Sequence, residues 1–143
     1  MTTKGTGTFE KVIWDESPYE EHDDGQKLTR AKITNRFAGD ISGDSTLEYL
    51  MAYPSDDYAS FVGLERIDGK IGDRRGSFVL QHQGTFDGLV RATWFVVPGS
   101  GTGDLRGLRG EGGYVWDGSR GDEVAYSLDY AFDDEGTVRP SDN

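Results

Sequence analysis

The feature of this sequence that most limits its fold is a two-residue alternation of apolar and polar side chains. Successive side chains of a β-strand point to opposite faces, so this alternation is typical of half-buried strands. No window of ten or more residues shows the period of an amphipathic helix. Turn-forming pairs such as Asp68-Gly69 and Asp87-Gly88 favour hairpins between strands. About eight segments alternate in this way: 6–16, 28–37, 45–53, 58–67, 76–86, 89–97, 114–116 and 123–132.

Short strands at short intervals indicate an all-β fold, and we predict an antiparallel eight-stranded β-barrel, lipocalin-like in outline, in preference to a sandwich. Closure removes exposed sheet edges and leaves an interior that holds packed side chains or one small ligand. The 143 residues fit a single domain, with an ordered core over about 5–132 and an acidic C-terminal tail over 133–143.

Two segments are harder to assign from the pattern. In the first strand, Trp14 favours the face it shares with Val12 as the inward face, although Phe9 and Ile13 lie on the other. The acidic segment 17–27, which contains the turn-forming pair Asp24-Gly25, is predicted to be a loop.

Charge and composition limit the partners of the chain. The net charge of −11 repels nucleic acid and anionic lipid, so we expect neither as a partner. The sequence has no cysteine, which excludes disulfides, thiolate nucleophiles and zinc–thiolate sites. The first residues lack the apolar core of a signal peptide, and no apolar run approaches the ~20 residues of a membrane-spanning helix. We therefore expect a soluble, cytoplasmic protein.

The segment 98–113 is unusually rich in glycine, with seven glycines in sixteen residues. It matches neither G-x-G-x-x-G nor the phosphate-loop pattern G-K-[ST], and acidic residues such as Asp104 would repel a phosphate. We predict a structural connection between strands six and seven, in which Leu105 and Leu108 turn inward while Arg106 and Arg109 face solvent.

Five strings carry a family resemblance: KLTR (27–30), EYLMAY (48–53), ASFVGLER (59–66), GSFVLQH (76–82) and VVPGSGTGDLRGLRGEGG (96–113). They resemble the bacterial domain-of-unknown-function 3224 family. That family is similar in fold to the allene oxide cyclase barrels, whose plant members cyclise a fatty-acid epoxide in the barrel lumen. The resemblance implies a barrel of this kind, but no cyclase residue can be matched to a position in this sequence, and a shared fold does not transfer function.

Glu65 and His82 are the candidate catalytic residues. Each alternates in phase with apolar neighbours, and a lumen that removed both from water would adapt them to acid–base chemistry. The alternative is structural: His82 is a hydrogen-bonded interior histidine, and Glu65 pairs with Arg66 or another arginine at the rim. The sequence pattern leaves both open.

Six further residues are predicted to line an apolar ligand pocket inside the barrel. Alternating aromatic and methionine side chains are equally consistent with an ordinary core. Gly63, inside a predicted strand, favours the sharp coiling of a closed barrel. The six predicted lining residues are Tyr49, Met51, Phe61, Gln81, Trp94 and Tyr126.

Two functions are compatible with these features. The first is a barrel that binds a small, largely apolar molecule in its lumen, with isomerase- or cyclase-type activity as an extension of that role. The second is a non-catalytic structural module that forms a homodimer or other homo-oligomer through outward residues such as Phe95 and Val97. We expect no cofactor and no metal, because His22 in the acidic string EEHDDG lacks the ligand register of a metal loop.

Overall fold

The computed structural model describes residues 2–133, and its eight strands form one closed antiparallel barrel. Each strand pairs with its neighbour in sequence, and β1 also pairs with β8. This confirms the predicted eight-stranded all-β fold. The strands are β1 (Thr3–Glu21), β2 (Lys27–Gly39), β3 (Ile41–Ser55), β4 (Tyr58–Ile71), β5 (Arg74–Phe86), β6 (Val90–Val96), β7 (Leu108–Trp116) and β8 (Glu123–Phe132).

The barrel is filled at one end and open at the other. At the filled end, large apolar side chains are almost completely buried, which stabilises closure through the hydrophobic effect. Apolar residues at this end include Ile41, Ile71, Phe78, Leu105, Leu108 and Leu128. The open end carries the β1–β2, β3–β4, β5–β6 and β7–β8 hairpins.

Strand β1 contains a bulge that explains its ambiguous pattern. The pairing with β2 shifts register between Lys11 and Ile13, and such an extra residue exchanges the two faces of a strand. Before the bulge the inward residue is Phe9, so the predicted inward face is wrong there. After it, Trp14 lies opposite the buried Ile33 and is itself 42% exposed. The predicted loop over 17–27 is also wrong at its start, because β1 continues to Glu21.

The glycine-rich segment is half connection and half strand. Its first part crosses the filled end through a 3-10 turn, Gly103–Leu105, and is tied to β5 by the Thr102 N–H, which donates to the Ser77 carbonyl at 2.9 Å. Its second part belongs to β7, which begins at Leu108, so the predicted connection is too long. Leu105 and Leu108 are buried and the two arginines beside them are exposed, as predicted.

The remaining predictions concern the C-terminal tail and membrane-spanning helices. The predicted acidic tail lies outside the described residues, apart from Asp133. Within residues 2–133, no helix has the length and apolar character needed to cross a membrane.

Candidate functional site

A cavity of about 360 Å³ occupies the open end of the barrel and is called here the lumen cavity. This volume lies within the range of small-molecule sites. All eight strands contribute to its wall, together with Asp122 from the β7–β8 turn. The exposed side chains of Lys11 and Asp122 bring charge to the lining, while Asn35, Tyr49 and Tyr114 bring buried polar groups. The apolar lining includes Phe9, Ile33, Leu47, Met51, Phe61 and Val124.

Four buried side chains form a continuous hydrogen-bonded series that begins at this cavity. We call Tyr114, Tyr49, His82 and Glu65 the buried relay. The hydroxyls of Tyr114 and Tyr49 are in direct hydrogen-bond contact, and the Tyr49 hydroxyl lies 3.1 Å from His82 Nδ1. The opposite ring nitrogen, Nε2, lies 2.9 Å from Glu65 Oε1. The relay therefore joins a carboxyl group in the barrel interior to two tyrosines that line the cavity.

Glu65 is fully buried and has polar partners on both oxygens. Besides the contact with His82, its Oε2 accepts hydrogen bonds from Asn35 Nδ2 at 2.9 Å and from Ser45 Oγ at 2.5 Å. The alternative pairing of Glu65 with Arg66 is wrong, because the Arg66 guanidinium donates to the Ser77 hydroxyl instead. A buried carboxyl group that has three hydrogen-bond partners in this way is held in a fixed position.

Burial keeps the two tyrosines of the relay protonated. It raises the pKa of Tyr49 well above its ordinary value, and the neighbouring Tyr114 hydroxyl and Glu65 carboxylate act in the same direction. Burial also raises the pKa of Tyr114, where Glu65 adds to the effect and the hydrogen bond with Tyr49 opposes it. Both side chains therefore remain neutral hydroxyls over the ordinary pH range, able to donate or accept.

Strand register explains how the relay is assembled. Gly63 lies between Tyr49 on β3 and His82 on β5. A Cβ at Gly63 would lie 2.5 Å from Cδ1 of the Tyr49 ring and would also overlap the Glu48 carbonyl oxygen. The missing side chain therefore leaves room for the Tyr49 ring to reach across β4 to His82.

The predicted lining residues fall into three groups. Tyr49, Met51 and Phe61 line the lumen cavity. Trp94 and Tyr126 are inward and buried but are not part of that lining within the described chain. Trp94 Nε1 donates to the Ser127 carbonyl at 3.0 Å, so this side chain packs in the interior. The prediction for Gln81 is wrong, because it is exposed on the outer face of β5.

Tyr126 has a structural role at the filled end of the barrel. Its hydroxyl accepts the Ile41 N–H at 2.9 Å and lies 3.1 Å from the Ala38 carbonyl, which ties β8 to the β2–β3 corner. Burial raises the pKa of Tyr126 to about 12, with the nearby Asp40 acting in the same direction and a backbone hydrogen bond to Ile41 opposing it.

Three polar residues of the site were missed in the sequence. Asn35 and Ser45 donate to Glu65, and Tyr114 is the cavity end of the relay. Asn35 alternates in phase with Ile33 and Phe37, so its inward direction could have been recognised. Tyr114 follows a run of glycines in which no alternation is visible.

A second polar cluster lies near the mouth of the lumen cavity. Glu16 Oε2 accepts hydrogen bonds from the Tyr53 hydroxyl at 2.6 Å and the Thr29 hydroxyl at 2.7 Å, and Oε1 accepts from Trp14 Nε1 at 3.0 Å. Partial burial opposes ionisation, but these hydrogen bonds and the charge of Lys27 outweigh it and lower the pKa of Glu16. The mouth therefore has an ionised carboxylate that accepts three hydrogen bonds from neighbouring side chains.

Comparison with known proteins identifies the family. A model described as "Protein of unknown function (DUF3224)" matches residues 5–130. The chain belongs to the DUF3224 family. A crystal structure of a DUF3224 protein of unknown function from Shewanella oneidensis MR-1, solved at 1.84 Å resolution, is similar with 32% identity and a TM-score of 0.80. The similarity covers 94% of this chain and 99% of that one.

The search of curated proteins found no match. The DUF3224 membership confirms the family resemblance found in the sequence, whereas the further similarity to allene oxide cyclase barrels stays a prediction. The family description names no activity, so the function of this DUF3224 protein has to be argued from its own site.

Proposed function

We propose that this protein binds a small, largely apolar molecule in the lumen cavity. The observation that carries the proposal is a cavity of about 360 Å³ with an apolar wall and a small set of buried polar groups at Tyr49, Tyr114 and Asn35. An apolar wall with few polar groups is the usual composition of a ligand site.

Acetophenone is a suitable probe, and the indole N–H signals of the three tryptophans report where it binds. Trp14 and Trp116 line the lumen cavity, whereas Trp94 lies outside the lining. We expect titration with acetophenone in a proton–nitrogen correlation spectrum to shift the Trp14 and Trp116 signals in a saturable manner. Saturable binding without shifts at these two residues would contradict the proposal.

A matched pair of variants tests the location. Val90→Trp adds a large side chain to the cavity lining, and Val115→Trp adds the same side chain on the exposed outer face of the neighbouring strand β7. We expect Val90→Trp to weaken acetophenone binding strongly and Val115→Trp to leave it unchanged. Equal weakening of acetophenone binding by the two variants would show that acetophenone binds outside the lumen cavity.

The buried relay supports acid–base isomerisation as a second candidate function. Because Tyr49 and Tyr114 separate His82 and Glu65 from the cavity, the two predicted catalytic residues would act on a ligand through the tyrosines. In such a step Tyr114 donates its proton to a carbonyl oxygen of the ligand, the relay replaces that proton, and solvent water at the open end takes the proton from the neighbouring carbon, so no cofactor is needed. Accelerated incorporation of deuterium into the methyl group of acetophenone in heavy water, lost in Tyr49→Phe, would support this function. An exchange rate equal to that in buffer would argue against it.

The outer face supports the assembly function as a separate proposal. Leu50 on β3, Val62 and Leu64 on β4 and Phe95 on β6 share the outer face and are 41–55% exposed. Val97, the other residue expected there, is half-buried. We expect sedimentation to detect a homo-oligomer that Leu64→Glu dissociates. A monomer at every concentration of the unmodified protein would exclude this function.

A further inference from the structure

The protons of the buried relay determine what the lumen cavity offers to a ligand. Among the described residues, both tyrosines of the relay line the cavity and neither His82 nor Glu65 does. Asn35 and Ser45 both donate to Glu65 Oε2, so Oε1 is the oxygen that faces the histidine. The remaining hydrogen bonds of the relay run in one of two directions.

The direction depends on how many protons His82 and Glu65 hold together. With two protons, one lies between His82 Nε2 and Glu65 Oε1, and the other is on Nδ1 and donates to Tyr49. Tyr49 then donates to Tyr114, whose hydroxyl hydrogen is free to point into the cavity. With one proton, Nδ1 accepts from Tyr49, Tyr49 accepts from Tyr114, and Tyr114 offers the cavity only its lone pairs.

The environment favours the two-proton state. That state has no net charge, whereas the one-proton state buries a net negative charge, which is costly without a cationic partner. His82 pairs with Glu65, and no lysine or arginine of the described residues lies within ion-pair distance of that carboxylate. Lys11 and Asp122, the charged residues of the cavity lining, are exposed and of opposite sign.

On the basis of the proposed lumen function, we propose that the ligand is a neutral molecule whose apolar body carries a carbonyl oxygen, and that the Tyr114 hydroxyl donates a hydrogen bond to that oxygen. A carbonyl accepts hydrogen bonds but cannot donate them, so it matches the two-proton relay and not the one-proton relay. Ketones, aldehydes and esters with an aromatic or aliphatic body belong to this class.

Three probes of similar size separate this inference from lumen binding itself. Acetophenone carries the carbonyl, α-methylbenzyl alcohol can both donate and accept, and ethylbenzene does neither. In the unmodified protein, we expect the infrared carbonyl band of bound acetophenone, isotopically labelled at that carbon, to lie below its position in hexane. A band at the hexane position would show that no donor reaches the oxygen and would overturn the inference.

Paired tyrosine variants give the affinity test. We expect the double variant Tyr49→Phe with Tyr114→Phe to bind acetophenone roughly threefold to tenfold more weakly. This is the loss expected from removing one neutral hydrogen bond. Ethylbenzene binding should change by less than about twofold. The matched control combines Tyr19→Phe with Tyr58→Phe, two exposed tyrosines, and should change neither. Equal weakening of both probes would overturn the inference.

Glu65→Gln provides a second test that does not depend on the tyrosine variants folding. The glutamine oxygen can accept from Asn35 and Ser45 while its amide donates to His82 Nε2, which reproduces the two-proton relay. We expect the affinity ratio of acetophenone to the alcohol to be unchanged. A switch from alcohol preference to ketone preference in Glu65→Gln would show that the native relay holds one proton, contrary to the inference. If none of the three probes binds, the lumen function itself fails.

Discussion

Removal of the two deepest members of the buried relay, Glu65 and His82, tests whether they interact as the structure shows. Glu65→Leu would leave three buried donors without their acceptor, those of His82, Asn35 and Ser45. Each unpaired buried group costs about 1–3 kcal/mol, and local rearrangement recovers part of this. We therefore expect Glu65→Leu to lower the free energy of unfolding by about 3–5 kcal/mol, as for other broken buried pairs.

The double variant shows the interaction itself. His82→Leu alone should cost a similar amount, because it removes the partner of the buried Glu65 Oε1 and one of the two partners of the Tyr49 hydroxyl. Removing both residues eliminates the carboxylate oxygen and the imidazole nitrogen that each single variant leaves without its partner, so the double variant should be less destabilised than the sum of the single variants. We expect a coupling free energy of about 1–3 kcal/mol.

Urea denaturation measures these free energies, provided that the slope with denaturant is the same for all variants. The chain contains a matched control, the exposed pair of Glu20 and His22, whose side chains lie 2.7 Å apart. The same four-protein cycle at that pair should give no measurable coupling, because water screens exposed charges. Additivity at Glu65 and His82 within about 0.5 kcal/mol, or a more stable Glu65→Leu, would refute the reasoning.

Three other predictions follow from the packing and the pKa shifts. Gly63→Ala should destabilise the barrel and displace the Tyr49 ring, seen as a changed Tyr49 signal in NMR; an unchanged melting temperature and signal would contradict the close approach. Leu105→Ala, at a fully buried site, should lower the free energy of unfolding measured in urea by about 2–5 kcal/mol. Leu50→Ala, at an exposed site on the outer face, should leave that free energy nearly unchanged. Because burial raises the pKa of Tyr49 and Tyr114, their contribution to stability is present below about pH 10 and is lost as the pH rises further. Phenolate absorbance should show that Tyr49 and Tyr114 ionise only when the protein unfolds. Ionisation of all seven tyrosines near pH 10 in the folded protein would contradict this prediction.

The alternation within each strand was sufficient to predict much of the fold. It gave the eight strands and the inward direction of Glu65 and His82, because side-chain direction depends only on position within a strand. It failed in β1, where a bulge near Val12 exchanges the faces and no local signal marks the extra residue. The same alternation already placed Gln81 opposite His82, so its assignment to the pocket disregarded the pattern.

Contacts between strands could not be predicted from the sequence. Tyr49 reaches His82 because register places Gly63 between them, and register depends on hairpin geometry along the whole sheet. Tyr114 joins the site for the same reason, from a strand whose glycines hide its pattern. A local pattern identifies inward residues, but the closed sheet determines which of them meet.

The crystal structure of the protein soaked with acetophenone tests the central claim most directly. We predict that acetophenone occupies the lumen cavity, with its phenyl ring against the apolar wall and its oxygen about 2.6–3.2 Å from the Tyr114 hydroxyl oxygen. Acetophenone bound on the outer face with an empty lumen cavity, or bound with its oxygen directed away from the buried relay, would contradict the account.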